Sequence, residues 1–327
     1  MTRALPAVSP VTERANRFVA DGLPAAEALG LTLAELIDEP EPFAKALLDG
    51  LTTLADPDYQ AGQHLIAPGL GETIGVRWPL ITAMRRRFDR ATRRAHPDSL
   101  LWLANRLLQS QILEIRVFTF SLLTRSLPSD PERSWQLLRQ AARGAGDWIV
   151  VDSLAHAYGS GILLERFRWA EIEQLVFSPS AWERRLVGST IATLPFVDRR
   201  AGRAPEVADR SLPILADLIG DADPNVQKAL SWALRSVALI DRSRVADFCD
   251  REATIAARTA DGQRAWVLRD ALVAIEPARA DVIRARLTGL RRKPGAPSTS
   301  TASVAAARFN GMLSGPPLAP IDRTAAR

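Results

Sequence analysis

The chain has 327 residues, 47% apolar and 24% charged, the composition of a globular protein with length for a substantial core. Its 42 Lys and Arg against 37 Asp and Glu give a net charge of +5 and suit a polyanionic partner without demanding one. One cysteine, Cys249, excludes an internal disulfide, and His64, His96 and His156 fall at no metal-ligand spacing. No apolar run reaches the roughly 18–20 residues needed to span a bilayer, and no secretory leader pattern opens the chain. The expectation is therefore a cytoplasmic protein without metal or cofactor. Arginine supplies nearly all the positive charge, since only Lys45, Lys228 and Lys293 are lysines.

Residues 1–55, with several prolines and the acidic turn "LIDEPEPF", read as a helical lead-in or cap. From there apolar residues recur at helical spacing, period-two alternation is scarce, and the chain reads as all-α. The densest basic run, "MRRRFDRATRR" from Met84 to Arg94, is either a phosphate-contacting or a solvated helix face. Pro, Gly and Asp breakers then bound helices in "AHPDSLLWLANRLL", "SQILEIRVFTFSLLTRSL", "DPERSWQLLRQAA", "GDWIVVDSLAHAYG", "RWAEIEQLVF", "SPSAWERRLVGSTIATL", "SLPILADLIGD", "DPNVQKALSWALRSVALI" and "DGQRAWVLRDALVAI". Paired, they repeat every ~35–50 residues, the period of a HEAT-like α-α superhelix. The solenoid is expected over 56–290, its inner helices starting near Gln111, Asp147, Ser180, Pro224 and Asp261 and lining a concave, basic face. The Pro-, Ser- and Arg-rich segment 291–327 is expected to be disordered.

One residue on these inner helices is out of place. In "GDWIVVDSLA", Asp147 is set to cap a helix whose first turns are Trp148, Ile149, Val150 and Val151. Asp152 follows them, and a carboxylate there costs several kcal/mol unless something pairs with it or uses it. Trp148 shares its face at i, i+4; Lys228 and Trp232 are likewise i, i+4 on a later helix, with Arg235 beyond. Asp152 is either a structural acid paired with an arginine of the next repeat or a functional carboxylate. Trp182 reads as core, Arg184 as a solvated or outer-face partner, and His156 as a satisfied core histidine.

"DWIVVDSL", "SAWERRLVGSTIATL" and "NVQKALSWALR" resemble, in order, three motifs of the AlkD-like DNA glycosylases. "EIRVFTFSLL", with Glu114 and Arg116, and "IGVRWPLI", with Gly75, Val76 and Pro79, are similar to that family's lead-in helices, and the likeness spans about residues 56–280. The resemblance implies that Asp152 is the catalytic carboxylate, that Trp148 and Trp232 are walls of a lesion pocket, and that Arg185, Lys228 and Arg235 bind DNA phosphates. Tyr59 is the counterpart suggested for a pocket tyrosine. Ser180 stands where the family usually has Asn, and the loop "PFVDRRAGRAPEVADRS" lengthens the interval from Arg185 to Trp232.

The implied function is a DNA repair glycosylase that hydrolyses the N-glycosidic bond of cationic alkylated purines in duplex DNA. It would act as a monomer, with no metal and no membrane partner. The alternative is a non-catalytic HEAT-repeat DNA-binding or protein-interaction scaffold.

Overall fold

The computed structural model describes residues 9–67, 69–293 and 295–305. They form fifteen α-helices: α1 (Pro10–Glu35), α2 (Pro40–Thr53), α3 (Pro57–Ile66), α4 (Trp78–Ala91), α5 (Pro97–Leu107), α6 (Leu113–Ser126), α7 (Pro131–Arg143), α8 (Trp148–Leu164), α9 (Trp169–Leu175), α10 (Ala181–Val197), α11 (Pro205–Leu218), α12 (Pro224–Val237), α13 (Arg242–Thr259), α14 (Gly262–Ala271) and α15 (Pro277–Arg286). No strand occurs among the described residues, beyond one isolated bridge between Ala55 and Val76. Among the described residues no helix is long and apolar enough to cross a membrane.

The helix boundaries follow from local chemistry. Eight helices begin on proline, whose missing N–H costs nothing at a first helical position and whose fixed φ suits the turn. Asp56, Asp130, Asp147, Asp223, Asp241 and Asp261 cap the helices that follow them by accepting free backbone N–H bonds.

The fold is an all-α superhelical stack. The row α4, α6, α8, α10, α12, α14 packs helix on helix, and α5, α7, α9, α11 and α13 each pack behind the next member of that row. At Gly188 of α10 an added Cβ would lie 2.9 Å from the Ala229 Cβ of α12, so the missing side chain lets the two helices approach. The lead-in is larger than a small cap, because α1 is 26 residues long and packs along α4.

Two sequence expectations are corrected. The expected long loop after Arg185 is mostly helical: α10 runs through Pro195 to Val197, and α11 already begins at Pro205. In the tail expected to be disordered, residues 291–293 and 295–305 are described and docked in part, and residues 294 and 306–327 lie outside the described residues. Arg292 donates to Gln227 Oε1 at 2.8 Å and stacks over Trp266, and the Thr299 amide donates to Gly220 O at 2.9 Å. Ser300 and Ala302 are buried. Gly220 makes this docking possible, since a Cβ there would meet the Ser300 nitrogen at 2.7 Å.

Candidate active site and its family

Asp147 starts α8 as its spacing predicts, accepting from the amides of Ile149 and Val150, both at 2.9 Å. The preceding turn is pinned by the buried Arg116, which donates to Gly144 O at 3.0 Å; burial lowers its pKa, partly countered by Asp147. One turn into α8, Asp152 meets α10. Arg185 grips it bidentately, Nε to Oδ1 at 3.1 Å and Nη2 to Oδ2 at 2.7 Å, while Ser189 Oγ donates to Oδ1 at 2.6 Å. Arg185 Nη1 donates onward to Asn225 O, at 2.7 Å, in the first turn of α12. Three successive helices of the row are thus tied through one guanidinium. The Asp152 side chain keeps 21% of its surface open, whereas that of Arg185 keeps 6%.

The open side of Asp152 faces a cavity of about 630 Å³. Trp148 and Asp152 from α8, Trp232 from α12 and Tyr59 from α3 all line it. The far wall comes from Arg77 and Trp78 at the start of α4 and from Val11 and Arg14 of α1.

That wall is rigidly built. Asp56 is fully buried; it caps α3 and accepts from Arg77 Nε at 2.8 Å and Arg14 Nη2 at 3.2 Å. Burial pushes its carboxyl up, but Arg77, the Tyr59 amide and Arg14 outweigh this and hold it below the ordinary value. Arg77 also lies over the Tyr59 ring, 4.9 Å from its centre. Burial raises the Tyr59 phenol pKa, an effect Arg77 opposes. Glu114 of α6, 1% exposed, fastens the loop before α4 by accepting from Thr73 Oγ1 and the amides of Ile74, Gly75 and Val76 at 2.8–3.2 Å. Gly75 turns this loop with φ +85°, a conformation that suits glycine.

A scan against family models matches residues 47–274 to the family described as DNA alkylation repair enzyme. The chain belongs to this family. A role in DNA repair comes with membership. No curated protein and no solved structure matches the chain.

The alkylation-repair chain brings together five of the residues singled out in its sequence, Trp148, Asp152, His156, Trp232 and Tyr59, on one cavity. Others go elsewhere. Arg185 lies beneath Asp152, not on the cavity wall. Lys228 is exposed on α12, one turn before Trp232, and Arg235 is paired with Asp270 of α14. Arg184 pairs with the buried Asp221 at 2.6 Å, and Trp182 packs against the core.

His156 is not a core histidine. It stands on the Asp152 face, one turn further along α8, exposed in the groove and lining both this cavity and its neighbour. Crowding by the groove walls pushes its imidazole below the ordinary value of 6.5, partly offset by Asp152. Ser189, Arg77, Trp78 and Arg14 carry no role in the sequence reading. The spacing could have found Ser189, four residues after Arg185 and so on the same face of α10. Nothing in the sequence signals that Arg14 reaches Asp56, 42 positions away.

Proposed function

We propose that the protein is a DNA glycosylase that hydrolyses the N-glycosidic bond of cationic alkylated purines in duplex DNA. The observation that carries this reading is the convergence of Trp148, Asp152 and Trp232 on one open cavity, with the carboxylate pre-oriented by Arg185 and Ser189. A purine alkylated on a ring nitrogen already carries positive charge, so it leaves without prior protonation. The bond from C1′ to the base nitrogen breaks and its electron pair neutralises the base. C1′ gains oxocarbenium character, which a fixed carboxylate stabilises. Water adds to C1′ and its proton passes to Asp152 and then to solvent, leaving an abasic site.

The tryptophan faces offer cation–π and apolar contact to the charged base and the sugar. Arg185 acts here through Asp152, holding the carboxylate in position; contact with a flanking phosphate would require it to leave Asn225 O. Lys228 is the exposed cation nearest Trp232 in sequence and serves as a backbone contact on this reading, while Arg235 commits only Nη1 to Asp270 and keeps Nε and Nη2 for a phosphate.

A second reading is favoured by one observation. The Asp152–Arg185 pair is complete without a ligand, as in a structural tie between repeats of a non-catalytic DNA-binding scaffold. The deciding experiment is base release from methylated duplex DNA by wild type and Asp152→Asn, in the presence of chelator. Release by wild type alone, with DNA binding retained by both, is expected. Equal release by the variant overturns the catalytic role of Asp152; no release by either, with binding intact, leaves the scaffold reading.

A further inference from the structure

A stripe of arginines lies outside the cavity. Residues 79, 82, 83, 86, 87 and 90 of α4 follow the i, i+3, i+4 rule and form one face, which with α1 encloses a groove of about 660 Å³. Arg86, Arg87 and Arg90 line it, and exposed Arg93 and Arg94 continue the same stripe past the helix end. This face is distinct from the buried one, made of Leu80, Ile81, Met84 and Phe88, and from the Arg85 and Asp89 face that lines a cavity with α6 and α8.

Ion pairs are dense elsewhere in this chain, yet among the described residues none of these five arginines forms one. The helix's own acid, Asp89, is taken by Arg125 at 2.8 Å. Arg87 Nε is buried without any hydrogen-bond partner, in a groove whose single acidic lining residue is Glu27. Five uncompensated guanidiniums on one stripe repel each other, and an anionic partner relieves that cost. Trp78 lines both this groove and the cavity that holds Asp152, so the two are neighbours across one side chain.

We infer that the α1–α4 groove binds the phosphodiester backbone of the duplex on one flank of the lesion, extending the DNA footprint beyond the row that carries Asp152. The inference rests on the DNA reading above. Arg86 and Arg90 are one turn apart, about 6 Å along the helix, and so serve separate phosphates. The other wall, α1, precedes residue 47, where the family match begins, so the flank contact is built partly from residues outside the matched region.

The test uses the exposed residues, so that packing by Arg87 is untouched. Arg86→Gln, Arg90→Gln and Arg93→Gln are combined in the full chain, and binding to undamaged duplex is measured by anisotropy across a salt series. Each lost phosphate contact lowers the log–log salt slope by about 0.9. The triple variant is therefore expected to lose about 2–3 from the slope and to bind at least ~tenfold more weakly at low salt, with unchanged helicity and with Asp152→Asn binding as wild type does. An unchanged slope and affinity, while wild type binds DNA in a salt-dependent way, overturns the groove assignment and leaves the repair reading standing. Absence of DNA binding by wild type overturns both. Binding of wild type to anionic phospholipid vesicles, lost in the triple variant while DNA binding persists, assigns the face to a lipid surface and overturns the inference as well.

Discussion

The pairing of Asp152 with Arg185 sets a quantity that can be measured without any substrate. Arg185→Ala removes two charge-assisted hydrogen bonds to Asp152 and one to Asn225 O. Removing one partner of a fully buried pair costs about 3–5 kcal/mol. Asp152 has a fifth of its side chain open to water and keeps Ser189, so the lower end applies and a loss of about 3 kcal/mol is expected. Asp152→Asn keeps an acceptor oxygen but leaves the Arg185 guanidinium uncompensated, at a cost of about 1–3 kcal/mol. In a double-mutant cycle the coupling energy is then about 2 kcal/mol. Urea unfolding of wild type, both single variants and the double variant at neutral pH yields it, and repetition at 1 M salt should change it little, because a buried pair is weakly screened. A coupling below about 0.5 kcal/mol would refute the buried tie. So would a coupling that vanishes at high salt, the behaviour of a surface pair.

Acid should loosen the far wall of the cavity. The folded pKa of Asp56 lies below its ordinary value of 3.8, so its stabilisation is full above that value and is lost as pH falls through the lower folded value. Asp56→Asn should flatten this acid limb of the pH–stability curve and cost about 3–5 kcal/mol at neutral pH, because Arg77 loses its buried partner; an unaltered limb in equilibrium unfolding rejects the assignment. Gly188→Ala should destabilise the chain by about 1–3 kcal/mol in the same assay, since α10 and α12 would have to move apart. No loss there would mean that the interface has slack.

The parts of this molecule carried by local periodicity could be read before folding. The helices holding Trp148, Asp152, Arg185 and Trp232 are bounded by Asp-Pro, Gly-Asp and Ser-Pro-Ser signals whose backbone chemistry does not depend on the rest of the chain. The face shared by Trp148 and Asp152 follows from i, i+4 geometry alone. What escaped was non-local. His156 looked like a core residue because its neighbours are apolar, yet its position on the Asp152 face turns it to the groove. Ser298 and Thr299 have the composition of a free tail, yet they find the carbonyl of Gly220 at a place where no Cβ blocks approach. The direction taken by Arg185 was also hidden, because a phosphate and Asp152 make the same demand on a guanidinium fork.

That last ambiguity has an electrostatic consequence. A lone carboxylate at the bottom of a groove would repel an approaching phosphodiester backbone. With Arg185 bound bidentately the Asp152 charge is compensated at rest, so on the proposed DNA-binding reading a duplex settles on the row without that penalty. On the glycosylase reading, positive charge then develops at the base and C1′ on the side of Asp152 away from Arg185. Its attraction to the carboxylate is opposed by the guanidinium behind it. Moving Arg185 from Asp152 to a phosphate would remove this opposition when DNA is bound, and would make the carboxylate more strongly stabilising to a cation only in the complex. Asn225 O, which now holds Nη1, would be the group left behind by that switch. The cavity wall formed by Arg14, Arg77, Asp56 and Asp58 would not need to move, because its two cations and two anions are satisfied by one another on the far side of the site.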